Sequence, residues 1–366
     1  MVKITAQKYL LSKYASFNKD VNLNYGTPDA NFTYVTEEYD TEDPNLLKDG
    51  QLFVETLLLS NDPAQKGWFG PTKSYVDVTP LNDPAPARGL VKVLKSKSDR
   101  FQEGDVLNFP IGWVSHNVIT PDALTSKVDP TKVSSLSHYI SVYGGTTITA
   151  YLALYEYSGA TPEEEGKTWL VTGAAGAVGS VLIHLLDRLF KPKKIIAVAG
   201  GAEKLKYVES ISDKVVAVDY KSKTYDADFK KAVGDDEINY FVDQVGGELL
   251  DKAVPYLADH GVILQVGFIS KYNGGAPFVF NSYPLIITKR LTVKGFVIVD
   301  NAKDFGKIVG HLIQLVQAGK LDLNEFKETF ADATGDNFKK IPELWTGLFR
   351  GINTGKYITK VNEYKL

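Results

Sequence analysis

Residues 168–186 read TWLVTGAAGAVGSVLIHLL, an uncharged apolar run, a turn of small residues and the start of an apolar helix. Ala174, Gly176 and Gly179 occupy the three marked positions of the G-x-G-x-x-G fingerprint, with alanine at the first. A buried strand before the turn and a helix after it are the context that this fingerprint requires. Gly176 lets the backbone approach a pyrophosphate, and Gly179 lets helix and strand pack closely. The helix amino terminus offers N–H donors and positive potential. The competing reading is a tight strand-to-helix turn in an unrelated α/β protein, and the neighbouring pattern argues against it.

From about residue 146 the chain alternates strand and helix. Strands are expected at 169–172, 194–199, 214–218, 238–242 and 261–266, and helices at 178–190, 202–210, 226–232 and 247–258. Repeated βα units predict a doubly wound parallel sheet covered on both faces. The first 140 residues differ: short β-like runs such as Leu52 to Leu59 and Val106 to Phe109 lie between Pro, Gly and Asp clusters. After residue 300 come a helix at 302–318, a short strand near 326–330, a helix at 336–350 and a final strand near 357–361. This order predicts a cofactor domain, residues 141–300, inserted into a β-rich second domain built from 1–140 and 301–366, with the active site in the cleft between them.

Composition removes several function classes. Across 366 residues, 41 Lys and Arg stand against 44 Asp and Glu, so no electropositive excess suits a nucleic-acid backbone. The absence of cysteine excludes disulfides, thiolate zinc sites, iron–sulfur clusters and cysteine nucleophiles, and it suits a reducing compartment such as the cytoplasm. The amino terminus lacks the pattern of a signal peptide. Residues 133–155 and 168–186 are uncharged, but the first is rich in Ser, Thr, Tyr and Gly and the second is a strand, turn and helix, so no membrane span is expected. GKT at 166–168 precedes its strand and lacks the P-loop's first glycine, where Thr161 stands. Tyr9 and Lys13 have short-chain dehydrogenase spacing but lie far upstream of the nucleotide fold. His116, His138, His184, His260 and His311 are scattered and form no metal motif.

About 20 residues beyond the glycine turn, an Asp or Glu at the end of the second strand would bond the adenosine ribose hydroxyls. Gly200 and Gly201 occupy that place, Lys204 follows in the next helix, and Tyr220 follows the third strand. With no carboxylate to repel a 2′-phosphate and a lysine to attract it, NADP(H) is the expected cofactor. An ordinary solvated helix lysine is the alternative for Lys204.

Several segments together carry a family resemblance: VTGAAGAVGS at 171–180, AGGAEKLKYV at 199–208, VDQVGGELLDKAV at 242–254 and VGFISKYN at 266–273. LLLSNDP at 57–63 and GINTGKYITKV at 351–361 add to it. The chain resembles the zinc-independent medium-chain dehydrogenase/reductases, in the group of prostaglandin reductases and 2-alkenal double-bond reductases. The resemblance implies a Rossmann domain inserted into a GroES-like catalytic domain, NADPH as hydride donor, an α,β-unsaturated aldehyde or ketone as acceptor, no metal, and a homodimer. It places Lys204 and Tyr220 at the 2′-phosphate and Gly176, Ala177, Val178 and Gly179 at the pyrophosphate, with Ala174 also among the cofactor contacts. Thr149, Gln244, Gly267, Phe268, Ile269, Phe296, Ile298 and Asn353 would complete the cofactor contacts, with Asn353 near the nicotinamide half. Residues 291–300, LTVKGFVIVD, resemble the edge strand that pairs across the dimer.

Tyr272 falls where the family has a tyrosine beside the nicotinamide and the substrate carbonyl. Hydride delivery to the β-carbon drives charge onto that carbonyl oxygen, and a phenol O–H can bond the developing enolate. A tyrosine packed on the cleft rim is the alternative. The family's Asp-Pro-Tyr-Met-Arg is here Asp62, Pro63, Ala64, Gln65 and Lys66, so an aromatic wall of the substrate pocket is missing or is supplied by Trp68 or Phe69. Gln244 replaces an Asn before Val-Gly-Gly, and Thr146 and Thr147 replace a Pro-Gly pair. Two other functions remain open: an NADPH quinone oxidoreductase and a non-catalytic NADPH-binding protein.

Overall fold

The computed structural model describes residues 3–275 and 277–364, and the chain divides into two compact units. The first comprises residues 1–140, 328–352 and 357–366, and the second 141–327 and 353–356. The first part of the chain supplies β1 (Lys3–Leu11), β2 (Phe32–Asp40), β3 (Leu52–Ser60), the short helix α1 (Gln65–Trp68), β4 (Gly89–Ser96), β5 (Val106–Phe109), β6 (His116–Ile119) and β7 (Ser126–Lys127). β1 and β2 form an antiparallel ribbon of their own. β3 is apolar and almost wholly buried, and it pairs antiparallel with β4 on one side.

The second unit begins with α2 (His138–Ser141), which straddles the boundary, and α3 (Gly145–Leu152). It continues through β8 (Thr168–Thr172), α4 (Ala177–Leu189), β9 (Lys194–Ala199), α5 (Ala202–Glu209), β10 (Val215–Asp219), α6 (Tyr225–Val233) and β11 (Ile238–Asp243). α7 (Glu248–Ala253), β12 (Leu257–Gln265), α8 (Pro284–Thr288), β13 (Thr292–Gly295) and α9 (Phe305–Gln317) complete it. The six strands are parallel in the order β10-β9-β8-β11-β12-β13. This is the doubly wound Rossmann order, in which the chain reverses direction across the sheet between β8 and β11. α4 buries nearly all of its apolar sequence, as a helix covering such a sheet must.

The chain then returns to the first unit with β14 (Glu328–Asp332), α10 (Ile341–Arg350) and β15 (Lys356–Lys360). β15 pairs antiparallel with β3, Ile358 opposite Ser60 and Lys360 opposite Leu58, so the two ends of the chain share one sheet. α10 seats Trp345 in the aromatic core: its ring lies 6.0 Å from Trp113 and 5.1 Å from Phe69, and its indole N–H donates to the Asp62 carbonyl at 3.1 Å. Truncating such a ring in a packed core costs about 3–5 kcal/mol.

Five expected boundaries move. Residues 301–327, expected in the catalytic part, belong to the second unit. There α9 buries Ile308, Leu312 and Leu315, His311 bonds the Tyr151 hydroxyl at 2.9 Å, and Arg188 bonds both oxygens of Glu325 at 3.2 Å. The helix expected over 247–258 ends at Ala253, followed by a single 3₁₀ turn containing Pro255, and the strand begins at Leu257 instead of 261. Proline removes the N–H that a continuing helix needs. The helices expected from 302 and 336 start as 3₁₀ turns and become α-helical at Phe305 and Ile341.

The segment that departs from the family at Ala64 to Lys66 is largely internal. Gln65 bonds the Asp62 N–H and the Pro86 carbonyl, and Lys66 is buried with its ammonium donating to the Lys19 carbonyl. Burial pulls the Lys66 pKa down to about 8, with Asp20 opposing part of that effect. From about pH 8 up to the ordinary lysine value of 10.5, the unfolded chain still holds a proton that the folded chain has released, so folding is favoured increasingly. Wild type therefore gains stability relative to Lys66→Met across that window, and urea melts of both proteins at about pH 7.5 and about pH 10 check it.

Candidate cofactor and active site

The glycine turn joins β8 to α4. Gly173 has φ +61°, and Gly176 caps the helix, so the first N–H groups of α4 have no acceptors within the helix. A Cβ on Gly179 would stand 2.4 Å from the Gly173 carbonyl oxygen and 2.6 Å from Ala174 Cα. Only glycine permits that approach. Ala174 is buried and donates its N–H to the Val198 carbonyl at 3.0 Å, while Ala177 and Val178 open the helix.

Across the switch point, Asp243 ends β11 with its carboxylate fully buried. It accepts from Thr172 Oγ1 at 2.6 Å, from the N–H groups of Val245 at 3.0 Å and Gly246 at 3.1 and 3.0 Å, and from Gln265 Nε2 at 3.0 Å. One carboxylate thus fastens the carboxyl ends of β8, β11 and β12. Gln244 donates its side-chain amide to the Thr172 carbonyl at 2.7 Å and packs against Gly173. Sequence reasoning missed Asp243. Its signal was a carboxylate ending an apolar strand just before Val-Gly-Gly.

At the end of β9 the turn is built around Gly200 and Gly201, the latter with φ +95°. A Cβ on Gly200 would meet the Tyr220 ring at 2.6 Å and Lys221 Cε at 2.9 Å. Asp219 ends β10, and its Oδ1 accepts the N–H groups of Gly201 at 3.1 Å and Lys221 at 2.9 Å. Lys204 rises from the first turn of α5 half-buried, and its pKa is lowered first by burial and then by the Lys221 charge. The place where a ribose-binding carboxylate would stand is glycine, with two lysines around it.

The loop after β12 carries Gly267, Phe268, Ile269 and Tyr272. A Cβ on Gly267 would stand 2.8 Å from the Gln244 carbonyl oxygen, and the Phe268 ring lies over Gly246, where a Cβ would meet it at 2.1 Å. Ile269 starts a 3₁₀ turn that Tyr272 closes, and the Tyr272 hydroxyl oxygen accepts the Phe268 N–H at 3.4 Å. Near the chain's end, Asn353 Nδ2 donates to the Gly355 carbonyl at 2.9 Å, and the Gly355 N–H donates to the Ala175 carbonyl at 2.8 Å. A strand-like bridge between Gly176 and Gly355 follows, so residues 353–356 lie against the glycine turn.

Parallel topology gathers Ala174 to Gly179, Lys204, Tyr220, Gln244 and Gly267 to Tyr272 at the carboxyl ends of the strands. The remaining expected residues sit elsewhere in the unit. Thr149 bonds back to the Gly145 carbonyl at 2.8 Å, Ile298 Cδ1 is 3.4 Å from a Cβ position on Gly145, and Phe296 stacks on Tyr157 at 4.3 Å. In the first unit, Phe69 is fully buried in the aromatic core and supplies no pocket wall, whereas Trp68 is half-buried and donates its indole N–H to Tyr75 at 3.2 Å. His184 is a core histidine, with its ring 4.6 Å from that of Phe326.

Residues 25–127 match the family described as the N-terminal domain of oxidoreductase, and residues 177–314 match the zinc-binding dehydrogenase family. The chain is 41% identical to an uncharacterised membrane protein of Saccharomyces cerevisiae, covering 98% of this chain and 99% of that one. It is 31% identical to a Bacillus subtilis protein provisionally named an NADP-dependent oxidoreductase, over 86% and 90% of the two chains. The NADP-dependent 2-alkenal reductase of Nicotiana tabacum is 28% identical over 84% of this chain and 87% of its own. Among solved structures, CurA of Vibrio vulnificus in complex with NADPH superposes with a TM-score of 0.81 at 22% identity, over 98% of this chain and 100% of that one. The chain belongs to the zinc-independent medium-chain dehydrogenase/reductases. The chain has no cysteine, and the described residues contain no cluster of three His, Asp or Glu side chains able to hold a metal ion.

The buried carboxylate makes a measurable prediction. Asp243→Ala orphans several buried donors at once and should lower unfolding free energy by about 3 kcal/mol, read by urea denaturation. A loss below about 0.5 kcal/mol would show that those loops do not depend on it.

Proposed function

We propose that the protein reduces the carbon–carbon double bond of α,β-unsaturated aldehydes or ketones. It is an NADP(H)-dependent oxidoreductase acting on CH–CH bonds. The observation that carries the cofactor reading is the Gly200–Gly201 turn with Lys204 beside it. That turn offers a 2′-phosphate a cation and a glycine floor where an NAD-selective site would place a carboxylate. The donor set supports the fit: α4 presents its amino terminus to the pyrophosphate, and Gly179 allows the close packing that this geometry needs.

Bound there, NADPH supplies a hydride for the substrate's β-carbon. The chain's own residues orient and stabilise. Lys204 and Tyr220 would hold the 2′-phosphate, Gly176 to Gly179 the pyrophosphate and Asn353 the nicotinamide half, with Ala174, Thr149, Gln244, Gly267 to Ile269, Phe296 and Ile298 completing the contacts. Tyr272 donates its phenol hydrogen to the enolate oxygen. In the bond with Phe268 the phenol oxygen is the acceptor, an arrangement that strengthens the O–H as a donor. Solvent protonates the α-carbon. Trp68 is the aromatic side chain near the altered Ala64 to Lys66 segment that remains available to a substrate.

The reading includes a homodimer in the cytoplasm. β13 is the edge strand of its sheet, and Val293 on it, Ile287 and Tyr283 are 49%, 73% and 61% exposed. An open edge beside exposed apolar side chains suits strand pairing with a second copy. No helix among the described residues is long and apolar enough to cross a membrane.

NADPH oxidation followed optically against matched panels of 2-alkenals, enones and quinones, and repeated with NADH, tests the function. Saturated product from an alkenal or enone, with NADPH preferred, is expected. Quinone-only turnover would move the function to quinone reduction, and tight NADPH binding without turnover would make the protein a non-catalytic binder. Tyr272→Phe should reduce kcat by about 10–100-fold at unchanged NADPH affinity, and undiminished turnover would remove its assigned role. The double variant Ile287→Asp, Val293→Asp should be monomeric by light scattering if the edge pairs; a persistent dimer would place the interface elsewhere.

A further inference from the structure

Two lysines converge on the turn at Gly200, and only one of them has been given work so far. Lys221 follows Tyr220, and its Cε lies 2.9 Å from the point where a Cβ on Gly200 would stand, so its stem folds back over the β9 turn. Its backbone is pinned there, because Asp219 Oδ1 accepts both the Lys221 N–H and the Gly201 N–H. Its ammonium lies 5.8 Å from the centroid of the Tyr220 ring, a cation–π contact that limits its freedom. Its positive charge is felt at Lys204, in the first turn of α5.

We propose that Lys221 is a specificity-determining residue that binds the adenosine 2′-phosphate of NADPH jointly with Lys204 and Tyr220. The assignment rests on the NADPH reading above and adds to it the residue that follows Tyr220. Two ammoniums beside one glycine turn repel each other until an anion lies between them. The nearby carboxylate, Asp219, is already bonded by two backbone N–H groups, which offset much of its charge. A phosphate dianion converts that repulsion into two attractions, whereas the 2′-hydroxyl of NADH leaves it in place. The preference for NADPH over NADH therefore draws on both lysines.

The test is direct binding, measured by calorimetry on the intact protein with NADPH, NADH, adenosine 2′,5′-bisphosphate and 5′-AMP as probes. Lys221→Met is expected to weaken NADPH and the bisphosphate by the same factor, about three- to tenfold, with NADH and 5′-AMP unchanged. Lys221→Arg, which keeps the charge, should hold most of the affinity. Equal weakening of NADPH and NADH would mean that the substitution disturbs the fold of the turn, and it would overturn the assignment. So would an unchanged affinity for the bisphosphate in a protein whose wild type prefers NADPH, and that result would leave the cofactor reading intact. A wild type that binds NADPH and NADH equally would overturn both.

Discussion

The nucleotide-binding unit depends on one buried carboxylate. The side chain of Asp243 lies in a place without solvent, and the cost of burying so polar a group is offset by five hydrogen bonds that converge on it from Thr172, Val245, Gly246 and Gln265. Since the donors come from the ends of β8 and β12 and from the loop after β11, displacing any one of the three leaves a buried polar atom short of a partner. The glycine turn is rigid for the same reason: Gln244, adjacent to the carboxylate, ties the Thr172 carbonyl at the base of the turn. A site that must place a pyrophosphate and a nicotinamide within fractions of an ångström benefits from loops fixed before either arrives.

Much of the second unit could be read from sequence because its information is local. β9 at 194–199 was expected with its observed limits, since an apolar run between a lysine pair and a glycine pair leaves little choice. The glycine turn was legible for a related reason: each of its residues answers to a steric demand within six positions. β12 was misplaced because Pro255 ends the helix early and because His260, at φ +62°, lets the strand run through a bend that a period-two pattern does not anticipate. The β1–β2 ribbon escaped notice altogether. Its strands lie some twenty residues apart and are paired with no tight turn between them to mark a hairpin.

What sequence could not supply was convergence. Asp243 looks like any carboxylate after a strand until Thr172 and Gln265 are seen to reach it. Trp68 and Phe69 are adjacent aromatic residues with nothing in the chain to separate their roles. The structure buries Phe69 between Phe32, Trp113 and Trp345 and leaves Trp68 half-buried. Lys66, a cation where a surface lysine would be assumed, is spent on a backbone carbonyl. In each case the deciding neighbour is remote in sequence.

The hydrogen bond from Gly355 to Ala175 joins positions roughly 180 residues apart, which makes it among the most non-local contacts of its unit. During synthesis the six-stranded sheet can assemble as its strands emerge, but this partner of the glycine turn arrives about sixty residues after the last of them, between β13 and Gly355. The glycine turn is thus completed only after β14 and α10 of the other unit have been made. A polypeptide interrupted before Gly355 would hold the strands of the sheet and a glycine turn without this partner, so the turn depends on a segment of chain that the sheet itself does not need.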